Sequence, residues 1–183
     1  MIHSITDYYN YINADLKVNH AKRRPLFFMR LCGQYNLVYL HYLRRVEYYR
    51  NCKKGFINRV LLVITSILLR RLSALTGITI PPNTFGYGVY IPHWGSIVVN
   101  GTARFGNNCV IQSGVNISEN VVGGDHVYIG AGAKILSDVH IADDVIIGAN
   151  AVVTKDISTP NVVVAGIPAR IISNNGFKNR IKI

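Results

Sequence analysis

The feature that most constrains this chain is a six-residue period between residues 105 and 157. A large apolar residue returns every six positions, and only Gly123 interrupts the series: Phe105, Ile111, Ile117, Ile129, Ile135, Ile141, Ile147 and Val153. A second, mostly smaller series follows four positions after each member: Cys109, Val115, Val121, Val127, Ala133, Val139, Val145, Ala151 and Ile157. A helix needs apolar returns after three and four residues, and a half-buried strand needs them every two. A period of six instead predicts a parallel β-helix in which three hexads form one triangular coil, with the larger residues inside.

The period continues toward the N-terminus in a shifted frame. Phe85, Ile91 and Ile97 lie six residues apart, and an eight-residue step then leads to Phe105. We interpret that step as a short insertion around residues 100–102. The predicted solenoid therefore runs from about residue 85 to residue 157, which is roughly four coils. Because each coil rests on its neighbours, the two ends of the solenoid need caps.

Residues 1–77 have helical spacing and are expected to form one of these caps. We predict helices over residues 4–18, with Ser4 or Thr6 as N-cap, over 26–50, with a break or bend at Gly33, and over 56–75, ended by Gly77. The apolar run over residues 60–69 is too short for a membrane span, which needs about 20 residues. We interpret it as a packing helix, with contact to a bilayer surface as the alternative.

The positive charge of the chain belongs to this helical segment. Residues 1–77 contain thirteen Lys and Arg against three acids, a balance of +10, whereas the other 106 residues contain seven against six, a balance of +1. The basic residues stand in short groups within apolar sequence, and no nucleic-acid motif accompanies them. An anionic membrane surface or an anionic substrate carrier therefore fits better than nucleic acid. A solvated helix face is the alternative.

Two features predict a cytoplasmic protein. The N-terminus has no apolar core behind a basic start, which is the pattern of a secretory signal. Cys32, Cys52 and Cys109 are odd in number and have no paired spacing, so we expect reduced thiols.

His93 is the histidine best placed for chemistry. It is the third residue of the hexad that begins at Ile91, a position expected to project from the solenoid, and it precedes Trp94, the only tryptophan. An imidazole can remove a proton from a hydroxyl group at neutral pH, and an indole offers an apolar face to a sugar ring or a cofactor. The alternative is a surface histidine. For His126 and His140, a turn or surface role is favoured over catalysis.

Four stretches together resemble the serine acetyltransferase branch of the hexapeptide acyltransferases. They are residues 85–100 (FGYGVYIPHWGSIVVN), 128–136 (YIGAGAKIL), 147–153 (IGANAVV) and 165–170 (AGIPAR). The resemblance covers residues 78–172. Residues 1–77 resemble, more loosely, the helical segment of the polysaccharide-associated members of that branch. The predicted organisation is thus a helical segment (1–77), a β-helix acyltransferase domain (78–172) and a polar tail (173–183), frayed from residue 174.

The resemblance implies a fold, an activity and a set of site residues. It implies a left-handed parallel β-helix, a homotrimer with active sites between neighbouring subunits, and acetyl-CoA as donor without a metal. His93 matches the catalytic base. The small residues beside the pantetheine arm correspond to Ala131, Gly132 and Ala149. Cations near the CoA phosphates correspond to Lys134, Lys155 and Arg170, and Arg170 ends the Gly-x-Pro-Ala-Lys/Arg signature.

Departures from the branch bear on the acceptor. Serine-acetylating members have an aspartate before the catalytic histidine, where this chain has Pro92, and a partner aspartate for the imidazole, where it has Thr79. Their loop with an Arg-His pair is also missing, because residues 118–125 are few and contain neither residue. Thr79 or a backbone carbonyl is then expected to orient His93. We also expect Tyr90, Trp94 and Thr79 to contact the acceptor.

The predicted activity is therefore O-acetylation of a sugar hydroxyl in a surface polysaccharide or its lipid-linked precursor. The base would deprotonate that hydroxyl for direct attack on the thioester. Alternatives are serine O-acetylation with an altered pocket, N-acetylation of an amino sugar, and a solenoid scaffold without catalysis.

Overall fold

A three-sided parallel β-solenoid follows a bundle of four helices. The protein is described by a computed structural model that covers residues 1–180. The helices are α1 (Ile5–Val18), α2 (Leu26–Leu31), α3 (Tyr35–Cys52) and α4 (Phe56–Thr76), and a short helix α5 (Phe177–Arg180) ends the described chain. The predicted fold class, a parallel β-helix preceded by a helical segment, is confirmed.

Parallel pairing stacks the hexads into three sheets, which form the sides of the solenoid. The first side contains β1 (Ile78–Thr79), β2 (Ile97–Val99), β5 (Asn116–Ile117), β8 (Lys134–Ile135) and β11 (Val152–Val153). The second side contains β3 (Arg104–Phe105), β6 (Val122–Gly123) and β9 (His140–Ile141). The third side contains β4 (Val110–Ile111), β7 (Tyr128–Ile129), β10 (Ile146–Ile147) and β12 (Val163–Gly166), and it ends with β13 (Ala169–Ser173), which pairs antiparallel with β12 in a hairpin. The solenoid has about five coils rather than four, because β1 and β12 lie outside residues 85–157 and extend it at both ends.

The interior confirms the assignment of the large hexad residues and explains the interruption at Gly123. Ile111, Ile129 and Ile147 are fully buried in one column, and burying such a side chain is worth about 1.5–3 kcal/mol. In the column of the second side, the rings of Phe85 and Phe105 stack with centroids 4.8 Å apart. A Cβ atom on Gly123 would lie only 2.2 Å from Cδ1 of Phe105. The series breaks at this position because the Phe105 ring occupies the space of the next side chain.

The two extra residues of the irregular coil lie earlier than the sequence predicted. Tyr90 pairs with Val110 across the third side, and Val99 pairs with Ile117 across the first side. The step from Val99 to Phe105 is therefore a regular hexad, and the long step falls between Ile91 and Val99. Both Ile97 and Val99 are buried in the same strand, and for this reason the frame counted from Ile97 was misleading. The wider turn is the segment that carries His93 and Trp94.

The helix ends follow the signals in the sequence. The Ser4 hydroxyl caps α1 by accepting a hydrogen bond from the backbone N–H of Asp7 at 3.0 Å. Gly33 adopts a φ of +70° between α2 and α3, so the predicted break separates two helices. Gly77 ends α4 in the left-handed conformation, which glycine adopts at little cost.

A buried arginine joins the helices to the first coil. Arg44 is fully buried, and its guanidinium donates to Asp15 at 2.8 Å and to Glu47 at 3.0 Å. The same group donates to the backbone carbonyl oxygens of Phe85 at 3.1 Å and Gly86 at 2.6 Å. The two carboxylates in turn accept backbone N–H groups of residues 89 and 83 of the solenoid. The helical segment therefore fixes the backbone of the coil that precedes His93.

Helix α4 packs with only one of its faces. Thr65, Leu69, Leu72 and Thr76 are buried. The opposite face is apolar and exposed: Phe56, Ile57, Val60, Val63, Ile64 and Ile67. The apolar run is therefore a packing helix, as predicted, on one face only, and its other face is exposed. Within residues 1–180, no helix is long and apolar enough to cross a membrane.

The start of the C-terminal tail is docked on the solenoid, so the prediction that it frays from residue 174 is wrong for its first part. Phe177 is buried and lies with its ring 5.5 Å from the imidazole of His126. Its backbone N–H donates to the carbonyl of Asp144 at 2.9 Å, and the ammonium of Lys178 pairs with the Asp144 carboxylate at 2.9 Å. An aromatic residue and one cation anchor this part of the tail. Residues 181–183 lie outside the described chain.

Candidate active site

Five successive turns form one edge of the solenoid, where the third side passes into the first. We call this the active-site edge, and its turns are residues 92–96, 112–114, 130–132, 148–150 and 166–168. The last of them does not enter the first side, because it joins β12 to the antiparallel β13 at the end of the third side. Backbone hydrogen bonds join neighbouring turns, such as Gly132 N–H to the Ser113 carbonyl at 2.9 Å and Asn150 N–H to the Ala131 carbonyl at 2.8 Å. Strands in a sheet lie about 4.8 Å apart, so the four steps from the first turn to the last span roughly 19 Å. The edge is therefore long enough for an extended ligand.

His93 lies exposed in the first and widest of these turns. The chain before it is held by helices, because the Asn36 side chain donates to the carbonyl of Ile91 at 2.7 Å and the Asn19 side chain accepts from the Ile91 N–H at 3.3 Å. The chain after it is held by the N–H of Ile97, which donates to the Gly77 carbonyl at 2.9 Å. Both ends of the turn are thus fixed, while the imidazole faces solvent.

The imidazole of His93 has no hydrogen bond or ion pair to any residue from 1 to 180. Thr79, which was expected to orient it, lies in β1 with Val98 as its strand partner. Thr79 lines a cleft of about 210 Å³ together with Arg50 and Arg70, and His93 is not among the residues around that cleft. The role of Thr79 in orienting the imidazole or contacting the acceptor stays a prediction.

Aromatic side chains stand beside His93. The Trp94 side chain is 51% exposed, and its ring meets Tyr35 of α3 edge-on with centroids 6.1 Å apart. Tyr90 is half-buried at the end of the third side and meets the ring of His20 edge-on at 6.3 Å. Trp94 therefore presents an apolar surface that a helix holds in place. The sequence did not single out Tyr35, whose only signal was an aromatic residue on the predicted helix.

The small residues predicted to flank the donor come together on this edge. Ala131 and Ala149 occupy the same position in adjacent coils, and both are exposed. Gly132 has a φ of +73°, and a Cβ atom there would lie 2.1 Å from Oδ1 of Asn150. The tight turn by itself therefore favours a glycine at this position. The two alanines leave an open surface along the edge.

The three cations predicted to bind the CoA phosphates do not lie together within one chain. Lys134 begins β8 beside the active-site edge, and its ammonium donates to the Gly114 carbonyl at 2.6 Å. Arg170 is exposed in β13 opposite Ala165, which places it at the distal end of the same edge. Lys155 follows β11 and precedes Ile157, so it lies at the corner between the first and second sides. Within one chain, only Lys134 and Arg170 are near the edge.

No carboxylate of residues 1–180 lies along the active-site edge. The acids of the solenoid stand at its other two corners: Glu119, Asp138 and Asp156 between the first and second sides, and Asp125, Asp143 and Asp144 between the second and third. The three acids of the helical segment are Asp7, which accepts N–H groups at the start of α1, and the two partners of Arg44. The edge is therefore lined by aromatic, small and amide side chains.

Cys109 and the half-buried His41 are not placed for catalysis at this edge. Burial raises the pKa of the Cys109 thiol to about 12, and its side chain lies at the corner between the second and third sides. Burial lowers the pKa of His41 to about 4, helped by the charge of Arg45. Within residues 1–180, no three His, Cys, Asp or Glu side chains are grouped to hold a metal ion. His93 is the one described base on the active-site edge.

A family model and solved structures match this chain. The family model described as bacterial transferase hexapeptide (six repeats) matches residues 124–155. No curated protein sequence matches the chain significantly. The serine acetyltransferase of Neisseria gonorrhoeae in complex with serine is 28% identical and superimposes with a TM-score of 0.73, over 93% of this chain and 71% of that chain.

Two further solved structures are similar over most of this chain. A serine O-acetyltransferase from Brucella melitensis is 26% identical, with a TM-score of 0.74 and coverage of 93% of this chain and 69% of that one. The serine acetyltransferase of Brucella abortus in complex with coenzyme A is 25% identical, with a TM-score of 0.72 and coverage of 94% and 70%. The alignment thus includes the helices as well as the solenoid.

Proposed function

We propose that this hexapeptide-repeat acyltransferase transfers the acetyl group of acetyl-CoA to a hydroxyl group of a sugar, in a surface polysaccharide or its precursor. The observation that carries the acceptor class is the absence of any carboxylate along the active-site edge of residues 1–180. A free amino acid presents an ammonium group, and burying such a charge needs an opposite charge. A neutral sugar needs an apolar face and hydrogen-bonding groups, and Trp94 with its neighbours offers both.

Acetyl-CoA fits the edge as donor. One of the similar structures is a complex with coenzyme A, and the open surface over Ala131 and Ala149 has room for an extended chain. With the thioester beside His93, the pantetheine arm runs toward the turn between β12 and β13, where Arg170 is exposed and pairs with no carboxylate of residues 1–180. An arginine at that end suits a phosphate group, which it binds through two donors.

The reaction we propose is a direct transfer with His93 as general base. The imidazole removes the proton of the acceptor hydroxyl, the oxygen forms a bond to the acetyl carbonyl carbon, and the bond between that carbon and sulfur breaks. The proton then passes from the imidazolium to the CoA thiolate. A direct transfer needs no acetylated cysteine, and the one cysteine of the solenoid, Cys109, is buried at another corner.

We further propose a homotrimer with active sites between neighbouring subunits. Support comes from apolar side chains that are exposed on the isolated solenoid, among them Val98 and Leu136 on or just after strands of the first side, and Val122 on the second. A neighbouring subunit would cover them. It would also supply the hydrogen-bond partner that the imidazole of His93 does not find in residues 1–180.

We place the enzyme in the cytoplasm, with peripheral contact at the inner face of the membrane.

Replacing the base tests this proposal. For His93→Ala, we expect the rate of acetyl transfer to fall by roughly 10²–10⁴-fold, the usual value of general-base catalysis. His140→Ala is the matched control, because that imidazole is also exposed and has only a long contact of 3.7 Å to Asp156. A loss of less than about threefold in the His93 variant would contradict the role.

Serine O-acetylation is the second candidate, favoured by the serine complex of a similar structure. It requires an acid from a neighbouring subunit to hold the ammonium group. Saturable release of CoA that depends on serine would establish it, and no turnover at high serine would exclude it.

A further inference from the structure

The exposed face of α4 and the cleft beside its N-terminus form one continuous surface. We call this surface the α4 face. The exposed fractions of its apolar side chains are large: 81% for Phe56, 72% for Ile57 and 57% for Val63. Residues three and four apart lie on the same side of a helix, and Phe56, Val60, Val63 and Ile67 have this spacing. The apolar strip therefore extends for roughly 17 Å along the helix at about 1.5 Å per residue.

Cations stand at the N-terminal end of this strip. Four of them, Arg50, Lys53, Lys54 and Arg59, line a cleft of about 310 Å³ between the end of α3 and the start of α4. None of the four is in a salt bridge with a carboxylate of residues 1–180. Gly55 begins α4 without a side-chain cap, so the first N–H groups of the helix add positive potential to the cleft. The cleft is thus suited to phosphate groups.

Further cations flank the strip. Arg59 and Arg70 are exposed on one side of it, and Arg71 is exposed beyond Ile67. Two of the three acids in the helical segment, Asp15 and Glu47, are buried against Arg44. The exposed surface around the strip therefore carries almost uncompensated positive charge.

From this pattern we infer that the α4 face docks the enzyme on an anionic lipid bilayer. The apolar strip would enter the boundary between headgroups and acyl chains, and the cleft would hold lipid phosphates. Helices that lie in a membrane interface combine an apolar face with a basic polar face in this way. A second copy of the chain that docked by the same face would bring the arginines of both copies together without an acid to pair them. The charge therefore favours lipid as the occupant.

Vesicle co-sedimentation of the full chain tests the inference. We expect the wild type to bind phosphatidylglycerol-containing vesicles at least tenfold more tightly than pure phosphatidylcholine vesicles, and to lose most of that preference at 0.5 M salt. The double variant Lys53→Gln/Lys54→Gln should bind the anionic vesicles roughly tenfold or more weakly, because each cation near such a surface contributes several-fold in affinity. Lys17→Gln, an exposed lysine on α1, is the matched control and should bind like the wild type.

A second pair of variants tests the apolar strip. Ile57→Ser/Ile64→Ser should weaken binding to both kinds of vesicle by at least about tenfold. Ile172→Ser is the matched control, because Ile172 is 65% exposed on the solenoid, close to the 72% of Ile57. Circular dichroism should show the same helix content in all variants, since every substituted side chain is exposed.

The results that would overturn the inference are specific. Equal binding to anionic and neutral vesicles, or wild-type binding by both double variants, would contradict it. If Ile57→Ser/Ile64→Ser instead lowers the number of subunits measured by light scattering, the α4 face is an interface between copies and not a lipid-docking surface. Acetylation of a soluble acceptor should be unchanged in the α4 variants, so failure of this inference and failure of the proposed reaction can be told apart.

Discussion

The steric reason for a glycine at position 123 of the hexapeptide series can be tested by adding a side chain there. A Cβ atom at Gly123 would lie 2.2 Å from Cδ1 and 2.3 Å from Cε1 of Phe105, whereas carbon atoms prefer about 3.5–4.0 Å. In Gly123→Ala the ring would have to move by more than about 1 Å. Its stack with Phe85, with centroids 4.8 Å apart, restricts that movement.

The expected cost of Gly123→Ala is about 1–3 kcal/mol of unfolding free energy, the usual range for overpacking a core. For a protein of this size, this lowers the midpoint of thermal unfolding by about 2–12 °C. Gly101→Ala is the matched control, because a Cβ atom there meets only Pro81 at an ordinary 3.8 Å.

The double variant Phe105→Leu/Gly123→Ala should recover part of the loss, since the smaller side chain vacates the space. The interaction between the two substitutions is expected to exceed about 0.5 kcal/mol, as for residues in contact. A midpoint for Gly123→Ala within 1 °C of the Gly101→Ala control would refute the steric explanation. So would strictly additive effects in the double variant.

Three further perturbations follow from the structure. Arg44→Met leaves two buried carboxylates unpaired and should lower the unfolding free energy by about 3–5 kcal/mol in urea titrations; a loss below 1 kcal/mol would contradict the buried network. Burial lowers the pKa of His41 to about 4, so as pH falls from about 6.5 to 4 the unfolded chain binds a proton before the folded chain does. The unfolding free energy should therefore decrease over that range, and His41→Gln should make the decrease smaller. Equal pH dependence of the unfolding free energy in both proteins would contradict this. Ala149→Trp should weaken CoA binding at least tenfold in calorimetric titration, with Ser137→Trp at another corner as control; unchanged CoA affinity would place the donor elsewhere.

The coiled architecture was predictable because a six-residue period has a single common structural solution. Each large hexad residue is recognisable as an interior residue from its spacing alone, and the helix ends at Ser4 and Gly77 follow from local capping chemistry. The place of the irregular coil was not predictable in the same way. Ile97 and Val99 are both apolar and both buried, so spacing alone could not decide which of them continues the series.

Contacts between distant segments were also beyond the sequence. No pattern indicated that Arg44 would be buried against two acids and the first coil, since basic residues on helices are usually solvated. The docking of Phe177 on His126 was missed because the surrounding tail is polar. At the active-site edge, the sequence indicated His93 through its place in the hexad, and Ala131 and Ala149 through the family resemblance. The supporting contacts from Tyr35 and Asn36 depend on how α3 crosses the first coil.

The most direct test of the proposed function is thiol release from acetyl-CoA by the purified protein with two acceptors. The first is the de-O-acetylated surface polysaccharide of the organism that encodes the chain, and the second is L-serine. We predict CoA release with the polysaccharide and none with serine, because the part of the chain that the structure describes has no carboxylate along the active-site edge to hold an ammonium group. Release with serine and none with the polysaccharide would contradict the sugar acceptor and show that the pocket binds an amino acid.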